Sequence, residues 1–493
     1  MAGFAHLWWG GVCFMIPTMT GHNPAILNEI AAIVGAAHVA TGAEAAQWSQ
    51  DWPGLTQWQP LAVARPANTG EVAALVRRAN ARRLPIVPVS GNTNLVKGTV
   101  AEGALMLSLD RMSAIREIRA DARVAVVEAG VILATLHAAA AEHDLIFPLS
   151  FGARGSAMVG GVLSTNAGGS NVLRYGNTRD LCLGLEVVTP TGEVMNLMSA
   201  LHKNNSGYDL RHMMIGAEGT LGIITAAVLK LFPRPRAYAT AMVAVPTVGA
   251  ALRLLHRLQD ETGGAVEAFE YMPRSFLTVL LQRFPQMRPP FEKSYDVNVL
   301  VELGGRAPRD VMPDASGTVP ISAHLEAVLA GFYEEGLILD AVVAQSEAQR
   351  AEIWARREAS AQILRVCKPV VENDIAVATD RMEELIARIQ SVSQAIDSDI
   401  ENTGVAHLGD GNLHYVGWPS RDDPALCRAV QEAVEREVIA LGGSFSAEHG
   451  IGLSKLPAMA AHKDPAALAM MRAIKAAVDP NGIMNPGKLI PDQ

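Results

Sequence analysis

A short segment near the carboxyl end of the chain places two histidines around a turn. It runs from His407 to His414 and reads HLGDGNLH. If Asp410 and Gly411 form a two-residue hairpin turn, the two histidines lie opposite one another on one face of a sheet, with Cβ atoms about 5 Å apart. That separation suits two imidazoles that bind the same divalent ion.

A carboxylate that could complete such a site follows in the sequence EHGIG, at 448–452. Glu448 and the paired histidines would supply three protein ligands and leave one position open, which is typical of a catalytic metal site. Zinc is the first choice, although two histidines and one glutamate also suit manganese or iron. Taken alone, two histidines around a turn are more often ordinary surface or core residues, so the pattern needs independent support.

Three segments rich in Gly, Ser, Thr and Asn lie in the first half of the chain. They read SGNTNLVKG at 90–98, GARGSAMVGGVLSTNAGG at 152–169 and GAEGTLGII at 216–224. Small residues let the backbone approach a ligand, and successive exposed N–H groups form an anion-binding nest, so a diphosphate is the expected ligand. One such loop is usually an ordinary turn cluster, but three together favour a binding site. Neither a Walker lysine pattern nor a strand-linked GxGxxG is present, which disfavours P-loop and Rossmann folds.

On these motifs the chain resembles the vanillyl-alcohol-oxidase-type flavoproteins and, within them, the D-lactate and D-2-hydroxyglutarate dehydrogenase branch. The likeness extends from about Trp52 to Pro491, and its most specific stretches are TNAGG at 165–169, NSGYDL at 205–210 and GTLGIIT at 219–225. It implies an α+β fold with a two-lobed PCMH-type FAD-binding domain, an α+β substrate-binding cap domain and a C-terminal tail that returns to the FAD domain. It also implies that a D-2-hydroxy acid is oxidised to the 2-oxo acid.

The resemblance implies that the FAD diphosphate lies near 90–95 and that the flavin ring lies between 148–166 and 218–224. No matching histidine or cysteine tether is present in the loop, so non-covalent FAD is expected. The implied FAD contacts are Ser90, Gly91, Asn92, Thr93, Asn94, Leu95, Pro148, Ser150, Gly155, Ser156, Gly160, Gly161, Ser164, Thr165, Asn166, Gly168, Gly169, Tyr175, Glu218, Gly219, Thr220, Gly222, Ile223, Ile224 and Asn485.

The same branch gives roles to the candidate site residues. His407, His414 and Glu448 match its metal ligands, and His449 matches its substrate-contacting base. Arg357 aligns with the arginine that binds the substrate carboxylate, which a planar guanidinium can grip bidentately. An alcohol carbon gives hydride to a flavin only as its hydroxyl proton departs, so a base and a Lewis acid on that oxygen both lower the barrier.

Two departures from the branch bear on the substrate. Glu372 stands where the hydroxyglutarate enzymes place a lysine, and Val416 replaces one of their asparagines. An acid at the far end of the substrate would repel a second carboxylate. The sequence therefore favours a D-2-hydroxy monoacid, such as D-lactate or a longer homologue, over 2-hydroxyglutarate.

Other functions remain open at this point. The chain could be a D-2-hydroxyglutarate dehydrogenase or a glycolate-oxidase-type subunit, whereas alditol and aryl-alcohol oxidases would not need the paired histidines and Glu448. It could also be a flavin module for electron transfer without substrate chemistry of its own. The expected electron acceptor is an electron-transfer flavoprotein, a cytochrome or a quinone, and a homodimer is the commonest default assembly.

Periodicity predicts the elements that position these residues. Asn68 followed by Glu71 predicts the start of a helix, and strands are predicted at 85–89, 124–128 and 185–188. A strand at 297–303 and a helix at 347–366 are predicted further along. The predicted domains are an N-terminal extension and helical lead-in at 1–50, the FAD-binding domain at 51–235, the cap at 236–447 and the C-terminal segment at 448–493.

Composition excludes several classes of function. The net charge of -9 argues against nucleic acid or an anionic membrane as the main partner. The four cysteines form no CxxC pair, so neither a disulfide framework nor a thiolate zinc site is suggested, which fits a cytoplasmic protein that could associate with the inner face of the membrane. The apolar segment 4–19 has no preceding Lys or Arg and is too short to span a bilayer. We expect translation to start at Met15 or Met19, with membrane docking as the lesser alternative.

Overall fold

The computed structural model describes residues 3–9, 12–18, 24–313, 315, 319–363 and 369–492. Near the amino end, β1 (Gly3–Trp9) and β2 (Val12–Thr18) pair antiparallel. The alternative start at Met19 lies outside the described residues. No helix among the described ranges is both long enough and apolar enough to cross a bilayer.

The first lobe contains two main sheets. Its elements are α1 (Pro24–Val34), β3 (Val39–Ala40), β4 (Ala62–Ala64), α2 (Thr69–Arg82), β5 (Ile86–Val89), β6 (Leu105–Ser108), β7 (Ile115–Arg119), β8 (Val124–Glu128), α3 (Leu133–Ala141), β9 (Leu145–Ile146), α4 (Val159–Thr165), α5 (Val172–Tyr175), β10 (Cys182–Val188), β11 (Val194–Leu197), α6 (Leu210–Met214), β12 (Ile223–Lys230) and β13 (Phe232–Pro233), with 3-10 turns at 36–38 and 42–48. A four-stranded sheet has the order β3-β4-β6-β5, and a five-stranded antiparallel sheet has the order β11-β10-β12-β8-β7.

The predicted start of α2 is confirmed. The Asn68 side chain accepts a hydrogen bond from the N–H of Glu71, as in a capping box, whereas the Glu71 carboxylate accepts the N–H of Ala67, one residue before the cap. The apolar face of α2 is buried against the four-stranded sheet. The predicted strands at 85–89, 124–128 and 185–188 correspond to β5, β8 and the second half of β10.

The second lobe is built on one large sheet. Its elements are β14 (Ala237–Val245), α7 (Val248–Thr262), β15 (Val266–Pro273), α8 (Arg274–Arg283), β16 (Val297–Gly305), α9 (Pro308–Val311), α10 (Pro320–Glu334), β17 (Asp340–Val343), α11 (Glu347–Glu358), α12 (Ser360–Ile363), β18 (Val371–Ala376), a 3-10 turn at 379–381, α13 (Met382–Ile396), β19 (Glu401–His407), β20 (Asn412–Trp418) and α14 (Pro424–Ala440). All neighbours in the seven-stranded order β17-β14-β16-β15-β19-β20-β18 are antiparallel.

The two faces of this large sheet have different neighbours. One face packs on α7, α10, α13 and α14 in the largest apolar cluster. The other face packs on α8, α11 and α12, and the polar residues of the candidate site project from the same side of the strands. The α+β fold class predicted from the sequence is therefore confirmed, while the exact domain boundaries stay predictions.

The predicted helix at 347–366 is correct in position but wrong in continuity. The helix α11 ends at Glu358, and the separate short helix α12 follows. Ala359 and Ile363, at and after the break, are buried in the apolar cluster beneath α8. The local sequence does not reveal this tertiary packing. The predicted end at Val366 lies outside the described residues.

The C-terminal tail returns to the first lobe, as expected. It contains α15 (Leu456–His462) and α16 (Pro465–Val478). Met484 forms a parallel bridge with Ile86 of β5, and the N–H of Asn485 donates to the Ile86 carbonyl at 2.8 Å. The tail thereby extends the edge of the four-stranded sheet next to the glycine-rich loop at 90–98.

Lys488 in the tail gives a prediction about stability. Its ammonium donates to the Val100 carbonyl at 2.7 Å, and burial lowers its pKa to about 8. An unfolded lysine titrates near about 10.4, so between these two values the unfolded chain binds more protons and stability rises with pH. Across this pH window we expect the free energy of unfolding of the wild-type protein, measured with urea, to rise on the order of 3 kcal/mol more than that of Lys488→Met. Equal pH slopes in the two proteins would contradict this account.

Candidate active site

A cavity of about 1180 Å³ lies between the loops of the first lobe, the large sheet and the tail. Sites for drug-sized ligands have volumes of roughly 300–1,000 Å³, so this cavity can take a large cofactor together with a small substrate. The predicted FAD contacts that line it are Ser90, Gly91, Asn92, Thr93, Asn94, Leu95, Pro148, Ser150, Gly160, Gly161, Ser164, Thr165, Gly168, Glu218, Gly219, Gly222, Ile223, Ile224 and Asn485.

The other predicted FAD contacts, Gly155, Ser156, Asn166, Gly169, Tyr175 and Thr220, are not among the residues that line the cavity. Tyr175 shows why most clearly: its hydroxyl donates to Glu267 on β15 at 2.8 Å, and its ring packs edge-on against Phe232. Ser156 lies behind the phosphate loop, where its carbonyl is 2.1 Å from the position of a Cβ on Gly91, so only glycine fits there. Tyr175 and Ser156 therefore pack beside the loops without lining the cavity.

Four of the nine non-glycine residues with positive φ in the described part of the chain lie in or next to the cavity wall. Asn92, Asn166, Glu218 and Asn485 all have positive φ, between 39° and 51°. Residues other than glycine rarely adopt this left-handed conformation, and such strain gathers at functional sites. These four residues belong to the glycine-rich segments and to the tail segment that returns beside them.

The paired histidines lie on the hairpin formed by β19 and β20. The predicted two-residue turn is wrong, because the strands pair His407 with Asn412 and leave a four-residue loop at 408–411. Asp410 accepts a hydrogen bond from the N–H of Asn412, which closes the loop at that point. His414 is therefore diagonal to His407 on the same face, and the ring centroids are 5.3 Å apart.

Glu448 reaches this histidine pair from the tail. Its Oε2 is 3.9 Å from Nε2 of His407 and 3.7 Å from Nε2 of His414. Two ligand atoms that each lie about 2.1 Å from a tetrahedral zinc are separated by about 3.4 Å, so the arrangement fits one bound divalent ion. The structure brings together the three residues that the sequence predicted as ligands.

Two buried carboxylates that the sequence did not predict orient these histidines. Glu270 on β15 accepts from Nδ1 of His407 at 2.8 Å, and Asp374 on β18 faces Nδ1 of His414 at 3.8 Å. Carboxylates that hold the second ring nitrogen are the usual outer support of metal-binding histidines. In both cases Nε2 is left facing Glu448. No local motif marks Glu270, which lies inside an otherwise buried strand.

The electrostatics of the group also fit a cation. Although burial opposes it, the carboxylates of Glu270 and Glu448 raise the pKa of His407 to about 9. Burial, together with the nearby His407 charge, holds the pKa of His414 well below its usual value, so that ring is neutral, as a metal ligand must be. Burial raises the pKa of Glu448 to about 7. The acids around His407 therefore favour positive charge there, and His407 must lose its proton before it can bind a metal ion.

A second possible ligand set overlaps the first. Ligand atoms of Asp374, His414, Glu448 and His449 all lie within 4.8 Å of one another. We favour His407 over Asp374 as the third ligand, because the Asp374 carboxylate already accepts the N–H groups of Glu448 and His449 and lies 3.3 Å from the Lys455 ammonium. The ligand assignment stays a prediction.

Arg357 and His449 complete the group. The Nε of Arg357 donates to Glu270 at 2.6 Å, and its buried Nη2 has no hydrogen-bond partner among the described residues. A buried guanidinium nitrogen without a partner is suited to bind a substrate carboxylate. Nδ1 of His449 is 3.6 Å from Asp374, and its ring stacks on that of His414 at 5.7 Å. Both side chains line the cavity.

Two family models match the chain. The FAD binding domain matches residues 60–198, and the C-terminal domain of FAD linked oxidases matches residues 234–489, which is more than half of the chain. The chain belongs to the FAD-linked oxidases. FAD and the oxidoreductase class predicted from the sequence are thereby confirmed.

Relatives of this FAD-linked oxidase share a name. The D-2-hydroxyglutarate dehydrogenase of Xanthomonas citri pv. viticola is 36% identical over 95% of this chain and 97% of its own length. The mitochondrial D-2-hydroxyglutarate dehydrogenase of Bos taurus is 34% identical over 90% of this chain and 79% of its own length.

Solved structures share the fold of this oxidase. A p-cresol methylhydroxylase with bound substrate superposes with a TM-score of 0.74, at 17% identity, over 96% of this chain and 98% of that chain. The 4-ethylphenol oxidase of Gulosibacter chungangensis gives 0.71 at 20% identity over 96% and 98% of the two chains. At these identities the likeness establishes the fold alone.

Gly168 gives a prediction about the metal site. A Cβ at this position would lie 2.5 Å from Oε1 of Glu448, so Gly168→Ala should displace the carboxylate without disturbing the backbone. We expect zinc affinity to fall about 10-fold to 100-fold, as it does when the support of a ligand is lost. The matched control is Gly155→Ala, where a Cβ meets nothing within 4 Å. Zinc titration against a chromogenic chelator measures both, and equal affinities in the two variants would contradict the placement of Glu448.

Proposed function

We propose that this FAD-linked oxidase is a metal-assisted dehydrogenase that converts a D-2-hydroxy acid to the 2-oxo acid. The observation that carries the proposal is the meeting of Arg357, His449 and the group His407, His414 and Glu448 on one wall of the cavity that the predicted FAD contacts line. The names of the relatives point to the same substrate class. An electron-transfer flavoprotein, cytochrome or quinone would then reoxidise the flavin.

The residues can be assigned to steps. When bound, FAD supplies the hydride acceptor and a divalent ion supplies a Lewis acid for the substrate hydroxyl. The Nη2 of Arg357, which has no hydrogen-bond partner in the described part of the chain, binds the substrate carboxylate. His449 takes the hydroxyl proton as the carbinol C–H bond breaks, and Asp374 next to its Nδ1 favours the charged imidazolium that results.

The far end of the substrate is expected to meet Glu372 and Val416. These residues pair directly across β18 and β20, on the same face as Asp374 and His414, and both line the cavity. Val416 is buried and apolar, and Glu372 carries negative charge. A second substrate carboxylate would meet that charge, so we propose a monoacid of the D-lactate type or a longer homologue.

The competing candidate is D-2-hydroxyglutarate itself, which the names of the relatives favour. Anaerobic addition of D- and L-2-hydroxy acids of increasing length should separate the two substrates by the rate at which the flavin absorbance bleaches. We expect bleaching with D-monoacids and its loss after divalent metal is removed by a chelator, with recovery on adding zinc or manganese. Bleaching by no 2-hydroxy acid would favour an electron-transfer module without substrate chemistry.

The specificity assignment is tested by the double variant Glu372→Lys with Val416→Asn. The double variant replaces an acid with a base near the distal end of the substrate, so a second carboxylate would be attracted there. One charge pair at a partly solvated site changes the free energy of binding by roughly 1–3 kcal/mol, or about 10-fold to 100-fold. We expect kcat/KM for D-2-hydroxyglutarate to rise relative to D-lactate by this factor. A wild-type enzyme that already prefers D-2-hydroxyglutarate, or a double variant with an unchanged ratio, would show that these residues do not set the preference.

A further inference from the structure

The loop that carries Glu448 and His449 contains no regular secondary structure, and two buried carboxylates hold its backbone. Asp374, on the large sheet, accepts the N–H groups of Glu448 and His449 at 3.0 and 2.9 Å. From the opposite side, Glu218 accepts the N–H groups of Ile451 and Gly452 at 2.7 and 2.8 Å. The two carboxylates belong to different lobes.

Glu218 occupies a position where glycine would be less strained. Its φ is 50°, and the nearby Gly216 and Gly219 also have positive φ. A glutamate in left-handed backbone needs a compensating contact. The contact in this structure is with the tail: the carboxylate faces the N–H groups at 451 and 452, and a Cβ on Gly450 would lie only 2.8 Å from it. The carboxylate of Glu218 thus points to the tail, while the residue also lines the cavity, and its predicted contact with the flavin stays a prediction.

We propose that Glu218 is a positioning residue, which fixes from the first lobe the loop that presents Glu448 and His449 to the substrate. This inference rests on the proposed function for the roles of those two residues. Ile451 and Gly452 are buried, so their N–H groups would have no alternative partner in water without the carboxylate. Asp374 would then hold the loop at one end, and the first lobe would hold it further along through the Val96 carbonyl, which accepts the N–H groups of Leu453 and Ser454.

The same segment also lines the FAD cavity through Gly219 and Gly222. One short stretch of backbone therefore contacts both the FAD site and the loop with the candidate ligand and base. Asn485 adds a further connection, since its side-chain amide donates to the Glu218 carbonyl at 2.7 Å. Glu218 thus sets the position of the metal-site loop relative to the FAD-binding loop.

Hydrogen–deuterium exchange of the FAD-loaded protein tests this role directly. In Glu218→Gln, one carboxylate acceptor becomes an amide donor, and we expect the peptide that spans 446–453 to exchange about tenfold faster or more, as expected from the loss of a buried hydrogen bond. The control is Glu186→Gln, another hydrogen-bonded acid of the first lobe, which accepts from Thr69 and Thr225 and does not contact the tail. Unchanged exchange at 446–453 in Glu218→Gln, or an equal increase in the control, would overturn the proposal.

A second variant guards against misfolding. Glu218→Gly removes the carboxylate and suits the left-handed backbone, so the protein should fold and retain FAD while its loop exchanges rapidly. Zinc affinity should fall about tenfold in both Glu218 variants and stay unchanged in the control. Wild-type zinc affinity in both Glu218 variants would overturn the proposal. If wild-type protein binds no zinc and no 2-hydroxy acid reduces its flavin, the proposed function fails, and the exchange comparison still decides the role of Glu218.

Discussion

Glu270 lies near the middle of the large sheet, and its carboxylate contacts both Arg357 and His407. Burial favours its neutral form, yet these two positive neighbours hold its pKa at about 2. A buried charge costs several kcal/mol unless it is paired. Glu270 therefore requires α11 to lie across the sheet, where it supplies Arg357, and β19 to lie next to β15, where it supplies His407. One side chain thereby sets the distance between the candidate substrate anchor and the candidate metal ligand. Asp374 repeats the arrangement three strands away, where it lies next to His414 and holds the loop with Glu448.

The candidate site is a row of side chains across four neighbouring strands, β15, β19, β20 and β18, closed by the tail. Hydrogen-bonded strand pairs place Glu270 beside His407 and Asp374 beside His414. The sheet is rigid because its opposite face is packed with helices, which suits a site that must hold ligands within tenths of an ångström. The first lobe contributes glycines where the tail approaches it closely, as at Gly168 next to Glu448.

Sequence reasoning recovered what local patterns encode. The capping box at Asn68, the strands around the glycine-rich loops and the HLGDGNLH hairpin each depend on neighbouring residues, and the resemblance supplied the fold and FAD. Sequence reasoning did not recover Glu270 or the supporting role of Asp374, because the role of an acid within a strand is clear only once the neighbouring strands are known. The sequence also predicted the wrong turn length at 408–411. Asp410–Gly411 is a strong signal for a two-residue hairpin turn, but in the structure the Asn412 N–H donates to Asp410 and the loop has four residues. The glycine-rich motif that contains Glu218 was recognised from the sequence. The direction of the Glu218 side chain was not, because it depends on contacts with a tail that lies far along the chain.

The return of the tail has a consequence for biosynthesis. Asn485 donates to the carbonyl of Gly98, a residue 387 positions earlier, and Met484 pairs with Ile86 at the edge of the first sheet. Nascent chains fold from the amino end as they emerge, at roughly 5–20 residues per second. The segments that complete both the cofactor cavity and the candidate ligand group leave the ribosome long after the first lobe. The first lobe must therefore wait, with an incomplete sheet edge, until the tail has been synthesised, and its FAD site is completed only after that point.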